Sequence, residues 1–176
     1  SKSYNHLLRI AVNNKIISIS LRKRLTPKLK FNLKLINYKR LNPKFKNLKY
    51  KVILKHLSKM DNSSSDIALC SNKKILESGT SNIMFIKGNK IYSPKNGIYK
   101  GINYNFFKKK LFAIINKDIK INSLDAYDEI LLIGSGKGVT SVETINSIKW
   151  KRKSLTFYKI LFNLYKNEIL KCPQYR

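Results

Sequence analysis

The sequence predicts an α/β domain of the α+β kind, in which strands come first and are later mixed with helices. Apolar and polar residues alternate strictly through "KLKFNLKLINYKR" (28–40), which is the period of a strand. Apolar residues fall at helical spacing in "LKYKVILKHLSKM" (48–60) and in "SLTFYKILFNLYKNEIL" (154–170). Because 43% of the 176 residues are hydrophobic, the chain can bury a core of its own.

The first half of the chain is expected to contain strands and one helix. Pro43 breaks the chain in a loop ahead of that helix, and the polar run "DNSSSD" ends it. The expected elements are strands 6–12 and 15–25 around an Asn13–Asn14 turn, strand 28–40, loop 41–47, helix 48–60, and a strand, turn and strand start in 66–76.

The second half begins with a hairpin, "NIMFIKGNKIYSP" (82–94), whose turn is "KGNK". A loop bracketed by glycines follows. The remaining expected elements are helix 102–117, strand 118–124, a buried strand with a Gly-rich turn and a second strand in 125–145, and an amphipathic helix at 154–170.

The chain is strongly basic, with 37 Lys and Arg against 9 Asp and Glu and a net charge of +28. Such a charge raises the alternative of a nucleic-acid-binding module without catalysis. Nearly all of the cations are Lys, whereas base recognition favours Arg, and they are spread along the whole chain. Specific nucleic-acid binding is therefore not expected, and the charge predicts a solvated surface that associates loosely with polyanions.

Two cysteines, Cys70 and Cys172, are too few for a disulfide framework and match no metal-binding spacing. The sequence contains no run of about 18 apolar residues, which a transmembrane helix would require. We therefore expect no metal, no membrane span and a reducing, cytoplasmic location.

Three features suggest chemistry. Lys49 lies where the Pro43 loop becomes a helix, and a partly desolvated Lys there could act as a nucleophile. Glu77 is a rare acid on a strand; if buried it needs a cationic or N–H partner, such as a protonated pyridine nitrogen. The alternatives are a solvated helix lysine and an exposed acid beside Lys73 or Lys74.

The third feature is a pair of Gly-rich turns, "NGIYKGIN" (96–103) and "IGSGKGVT" (133–140). The first leads into a helix, whose initial N–H groups bind phosphate. The second places Ser135 between glycines after an apolar strand, where its hydroxyl could contact the same anion. Neither turn matches a nucleotide-binding fingerprint, and ordinary turns between strands remain the alternative.

In this order, the features resemble the fold-type IV (class IV) pyridoxal-phosphate aminotransferases. The resemblance covers residues 8–148 and rests on "KNLKYKVILKHL", "ESGTSNIMFIKGNKIYSP", "NGIYKGI" and "DEILLIGSGKGVTSVETI". It implies pyridoxal 5′-phosphate as cofactor and the larger domain of that fold, with mixed sheets forming a pseudo-barrel and helices at its flanks. The chain departs from the family pattern at Met84, Ser93, Asn103 and Tyr104.

By this resemblance Lys49 would bond the cofactor and move protons, and Glu77 would hold the ring nitrogen. Backbone N–H groups of Gly101, Ile102 and Asn103, with the Ser135 hydroxyl, would bind the phosphate. Asn82 would be structural, and His56 has no assigned role. The family's small N-terminal domain is expected to be absent. Residues 1–176 would form one domain, with strands and the loop leading to the lysine in 1–46, the cofactor-site core in 47–148 and a helical extension in 149–176.

Within the family, 4-amino-4-deoxychorismate lyase resembles this chain more than branched-chain or D-amino-acid aminotransferases do. Branched-chain enzymes carry a Tyr five residues after the lysine, where this chain has Leu54. The segments "RLNP", "NLK" and "SDIAL" resemble the lyase. The resemblance implies an anionic amine as substrate, 4-aminobenzoate and pyruvate as products in folate biosynthesis, and a homodimer.

Overall fold

The computed structural model describes residues 6–45, 49–111 and 113–171, and this part of the chain forms thirteen strands and three α-helices. The strands are β1 (His6–Val12), β2 (Ile17–Lys23), β3 (Asn32–Asn37), β4 (Ser65–Ser71), β5 (Lys74–Ser78), β6 (Asn82–Lys87), β7 (Lys90–Pro94), β8 (Ile114–Lys117), β9 (Ile119–Lys120), β10 (Glu129–Gly134), β11 (Gly138–Ser141), β12 (Thr144–Ile145) and β13 (Trp150–Lys151). The helices are α1 (Lys51–Leu57), α2 (Ile102–Lys110) and α3 (Thr156–Leu170). No helix in these ranges is long and apolar enough to cross a membrane.

The strands form three sheets. A six-stranded sheet has the order β13-β12-β3-β4-β5-β9, and a five-stranded sheet has the order β11-β10-β6-β7-β8. Both are mixed, because β3 runs parallel to β4 and to β12, and β7 runs parallel to β8, while the other pairs are antiparallel. Strands β1 and β2 form a separate ribbon. The α/β class expected from the sequence is confirmed.

The sheets and helices stack in four layers. The main core lies between the two larger sheets, where Leu33 and Ala68 of one pack with Phe85 and Leu132 of the other. The outer face of the five-stranded sheet packs against α2 and α3, and the outer face of the six-stranded sheet packs against α1. Because both sheets are covered on both faces, the middle residues of their central strands β4, β6 and β10 form continuous apolar runs.

The start of α3 is stabilised by a buried acid from the neighbouring sheet. The carboxylate of Glu129, at the beginning of β10, accepts the N–H groups of Phe157 at 2.9 Å and Tyr158 at 2.8 Å. These donors have no partner within the helix, and a negative charge at this end also complements the helix dipole. Leu161, fully buried, then anchors α3 on the five-stranded sheet.

The ribbon of β1 and β2 has one strongly apolar face. Directly opposed pairs on this face are Leu8 with Leu21 and Ile10 with Ile19, and all four side chains are exposed. On the other face, Leu7 approaches the turn between β10 and β11, since a Cβ at Gly136 would lie 3.7 Å from its Cδ1.

Most expected elements are confirmed, although β3 and α1 are shorter than the segments assigned from the sequence. The expected helix 102–117 is wrong in its second half. Helix α2 ends at Lys110, Leu111 is extended with φ −100° and ψ 134°, and 114–117 is the strand β8 beside β7. The apolar spacing continues past Lys110, but the β-branched pair Ile114–Ile115 suits a strand that can extend the sheet.

The expected strand 118–124 is also largely wrong. Only Ile119–Lys120 pair with β5, and residues 121–126 form a short 3₁₀ helix. Its Leu124 turns into the core between the sheets.

Candidate active site

Glu77 is buried at an irregularity in the six-stranded sheet. Its side chain is 3% exposed. Ala68 pairs with Ser78 and Cys70 pairs with Ile75, so two residues of β5 lie opposite one residue of β4. This is the count of a β-bulge, which changes the direction of the side chains at the extra position. Leu76 and Glu77 are these two residues of β5.

The carboxylate of Glu77 has two close partners. Its Oε1 lies 3.1 Å from Nε of Arg40, whose side chain is 11% exposed, and its Oε2 accepts the N–H of Tyr99 at 3.0 Å. Burial raises the pKa of Glu77 above its ordinary value, and the Arg40 charge and the Tyr99 N–H oppose that rise. The alternative of an exposed acid beside Lys73 or Lys74 is wrong, because Glu77 is buried and Lys74 pairs with Asp118.

Neither member of the Arg40–Glu77 contact is fully satisfied. Despite the short separation, Nε of Arg40 and Oε1 of Glu77 are both buried and neither is in hydrogen-bond geometry with any group. Buried polar atoms nearly always have such a partner. The carboxylate therefore keeps an acceptor position for a further N–H donor.

Asn82 connects Glu77 to the loop that precedes α2. Its Nδ2 donates to the carbonyl of Tyr99 at 2.6 Å, and its Oδ1 accepts the N–H of Gly101 at 3.1 Å. Tyr99 in turn donates to Glu77, so the acid and the amide hold the same short loop. A Cβ at Gly101 would lie 3.2 Å from Oδ1 of Asn82, so a side chain at this position would crowd the amide.

This arrangement changes the expectation for Gly101 in one respect. Its N–H, expected to face a phosphate, is already donated to Asn82. The N–H groups at the start of α2, those of Ile102 and Asn103, have no acceptor within the helix because of their position. The Nδ2 of Asn103 is buried and has no hydrogen-bond partner. The beginning of α2 thus presents amide donors suited to an anion.

The second Gly-rich turn approaches the same place. Strand β10 pairs with β6 so that Ile133 lies opposite Asn82. The following residue, Gly134, is so close to Ser81 that a Cβ there would lie 2.6 Å from the Ser81 Oγ. Ser135 follows at the exposed tip of the turn. Both Gly-rich turns therefore lie at the start of β6. Glu77 is connected to the same place because Tyr99 donates its N–H to Glu77 and its carbonyl accepts the Nδ2 of Asn82.

Lys49 lies just before α1 and is exposed. Helix α1 packs on β3 and β4 through Ile53 and Leu57, and this packing holds the helix against the six-stranded sheet. Residues 46–48 of the expected lysine segment lie outside the described residues, as do Cys172 and the end of the chain. His56 is half-buried near the end of α1.

Sequence reasoning missed Arg40 and Tyr99. A buried acid in this chain requires a cation, and Arg is the residue best suited to buried pairs, but nothing in the sequence distinguishes Arg40 from the other arginines. Tyr99 acts through its backbone, so its side chain gave no signal. Together, a buried acceptor and donors at a helix start suit a flat, cationic heterocycle that carries an anionic group.

A family model described as amino-transferase class IV matches residues 3–145 of this chain. No curated protein sequence matches significantly.

Among solved structures, a Thermotoga maritima protein provisionally described as a branched-chain amino acid aminotransferase aligns with a TM-score of 0.71 and 19% identity, covering 89% of this chain and 62% of its own. The branched-chain aminotransferase of Thermobaculum terrenum in its PLP form gives 0.68 and 16%, covering 87% and 56%. The 4-amino-4-deoxychorismate lyase of Pseudomonas aeruginosa gives 0.68 and 13%, covering 90% and 67%. The chain thus spans about three fifths of the T. maritima protein. At these identities the alignments show a shared fold.

Proposed function

The chain belongs to the class IV aminotransferase family, and we propose that it binds pyridoxal 5′-phosphate at Glu77 and converts 4-amino-4-deoxychorismate to 4-aminobenzoate and pyruvate. The observation that carries the proposal is the buried Glu77, which has an unused acceptor position and is connected through Tyr99 and Asn82 to the turn that opens α2. The PLP form of the Thermobaculum terrenum structure, which shares the fold, supports the choice of cofactor.

The described residues fit this cofactor at both of its ends. Oε1 of Glu77 would accept a hydrogen bond from the protonated pyridine nitrogen, and the resulting charge pair would offset the burial of the carboxylate. Asn103 Nδ2 and the first amides of α2 would bind the phosphate, with the Ser135 hydroxyl from the second turn. When bound, the cofactor supplies an electron sink for the carbon that carries the substrate amine.

In this proposal the Lys49 amine would hold the cofactor until the substrate amine takes its place, and the freed Lys49 amine would then accept the proton from the amine-bearing carbon of the substrate. Glu77 keeps the ring nitrogen protonated, which favours electron withdrawal. Loss of pyruvate leaves an aromatic ring, so the protein's task is chiefly orientation.

Support for the lyase over an aminotransferase comes from the chain around α1. Leu54 stands where branched-chain enzymes carry Tyr, and "RLNP" and "SDIAL" resemble the lyase. The positive charge of the chain suits a dicarboxylate substrate. The family resemblance further supports a homodimer, which sedimentation equilibrium would test.

The first experiment measures cofactor binding. The purified chain is titrated with pyridoxal 5′-phosphate, and we expect a visible absorption band that borohydride reduction removes. Lys49→Ala should lose the band, whereas Lys51→Ala, a matched exposed lysine two residues away, should keep it. Because Lys44, Lys46, Lys49 and Lys51 lie close in sequence, peptide mapping of the reduced adduct then identifies the modified residue.

Each outcome has a distinct meaning. A modified lysine other than Lys49 would overturn the role of Lys49 and leave the cofactor proposal standing. Absence of any band in the wild-type chain would contradict cofactor binding. Incubation with 4-amino-4-deoxychorismate, and in parallel with leucine and 2-oxoglutarate, separates the lyase from a branched-chain aminotransferase by the product formed.

A further inference from the structure

A buried ion pair lies beside the candidate site and has no role in the function proposed so far. Nζ of Lys137 donates to Oδ2 of Asp66 at 3.1 Å, and the two side chains are 7% and 0% exposed. The same ammonium lies 5.0 Å from the centre of the Phe31 ring. Of the ion pairs found in the described residues, this one and Arg40–Glu77 are buried, while the others involve exposed side chains.

Asp66 also binds the short turn between β5 and β6. Its Oδ2 accepts the hydroxyl of Thr80 at 2.6 Å and that of Ser78 at 3.3 Å. Ser78 in turn accepts the N–H of Ser81 at 2.7 Å. A Cβ at Gly79 would lie 2.7 Å from Cγ1 of Ile67, so β4 and this turn are in direct contact. Asp66 is thus the common acceptor for the β5–β6 turn and for Lys137 of the β10–β11 turn.

Lys137 belongs to the turn that presents Ser135. This turn, Gly134–Gly138, contains three glycines, and Gly138 has a φ of +67°. Glycine-rich backbone loses much conformational freedom on ordering, so a turn of this composition needs an anchor to keep one conformation. The Lys137 side chain is fixed at Asp66, two residues from the Ser135 hydroxyl.

We infer that the Lys137–Asp66 pair positions the Ser135 turn, so that the phosphate subsite keeps its form only while this buried pair is intact. Lys137 is a positioning residue: its charge is held by Asp66, and Ser135 and α2 make the contacts with the anion. The inference deepens the proposed function and rests on it for the identity of the anion. The order of the turn itself can be measured without any cofactor.

The first test is hydrogen exchange on the unliganded protein, followed by mass spectrometry of the peptide covering 131–141. We expect faster exchange at Gly136–Gly138 in Lys137→Met and in Asp66→Asn than in the wild type. Lys137→Arg should restore much of the protection because it can still pair with Asp66. Lys28→Met, which removes a lysine from the exposed pair with Asp61, is the matched control and should leave this peptide unchanged.

The single variants leave one buried charge unpaired and can therefore unfold. The double variant Lys137→Met/Asp66→Asn removes both charges and keeps the test informative. If its turn exchanges at the wild-type rate while the protein stays folded, the pair does not position the turn and the inference is overturned.

The second test compares the dissociation constants of pyridoxal 5′-phosphate and of pyridoxal, which lacks the phosphate. In the double variant we expect the dissociation constant of pyridoxal 5′-phosphate to rise by about tenfold and that of pyridoxal by less than about twofold. An equal loss for both ligands would show a general structural role instead. If the wild type binds neither ligand, the proposed function fails, and the exchange experiment alone still decides whether the pair orders the turn.

Discussion

At the scale of single residues, the site depends on an acid that folding places in an unfavourable environment. Glu77 is almost fully buried, and its pKa is raised mainly by that burial, with Arg40 and the Tyr99 N–H acting in the opposite direction. A buried acid with a perturbed pKa and an unused acceptor position is a candidate for a functional residue. A cationic ligand at Oε1 would relieve the cost.

The raised pKa of Glu77 has a consequence for stability. Since the folded protein binds the Glu77 proton more tightly than the unfolded chain does, Glu77 stabilises the fold most at low pH, and that contribution is lost as pH rises from 4.5 through the raised pKa. A tenfold tighter hold on a proton corresponds to about 1.4 kcal/mol of stability. Urea unfolding between pH 4 and 8 should therefore show that the stability of the wild type relative to Glu77→Gln falls with rising pH in this window.

Asp118→Asn is the control of opposite sign. The hydrogen bond from Lys74 lowers the pKa of Asp118, so its contribution is present above pH 3.8 and is lost only as pH falls below that value; between pH 4 and 8 the wild type and Asp118→Asn should therefore differ by a nearly constant amount. If the free energy of unfolding of the wild type changes in parallel with that of Glu77→Gln from pH 4 to pH 8, a raised pKa for Glu77 is contradicted.

At the scale of elements, the ribbon of β1 and β2 and the hairpin strand β6 show how differently apolar strands can be used. Apolar and polar residues alternate in β2, whereas β6 carries a continuous apolar run. The apolar residues of β6 are buried and those of β2 are exposed. A two-stranded ribbon gains little stability by itself and usually requires a packed face. Its apolar side chains therefore contribute little to the stability of the fold described here.

This difference can be measured by paired substitutions. Ile10→Thr/Ile19→Thr, on the exposed face of the ribbon, should change the free energy of unfolding by less than about 1 kcal/mol and should raise solubility. Ile86→Thr, a 1% exposed position in β6, should cost several times more because it buries a hydroxyl and leaves a gap. Thermal melts and light scattering provide the readouts, and a large loss in the ribbon variant would show that this face packs against the rest of the protein.

At the scale of the whole molecule, the net charge of +28 is distributed over a scaffold in which the buried cations Arg40 and Lys137 each lie against an acid. Single-sign charge of this size attracts polyanions without specificity and is screened by salt. This charge is enough to explain weak binding to nucleic acids, and no binding groove is required for it.

We expect weak binding to single- and double-stranded DNA of any sequence, falling steeply as salt rises from about 50 to about 200 mM. Fluorescence anisotropy with two oligonucleotides of unrelated sequence measures this. Binding to one of them that is at least about a hundredfold tighter and persists at the higher salt concentration would favour the alternative of a nucleic-acid-binding module.

Local sequence was sufficient to identify the family, the hairpin β6–β7 and the final helix, because these depend on residue period and on short runs of neighbouring residues. It failed at residues 114–124, where apolar spacing suits both a helix and a strand, and where pairing with β5 and β7 decides the outcome.

The partners of the buried acids, in contrast, became known only from the folded chain. Arg40 reaches Glu77 across 37 positions of sequence and Lys137 reaches Asp66 across 71. The bulge in β5 and the pairing of β10 with β6 bring these residues together, and no local pattern encodes such distant contacts. Burial then makes the pairing obligatory, since a charge removed from water must find its counterpart wherever the fold has placed it.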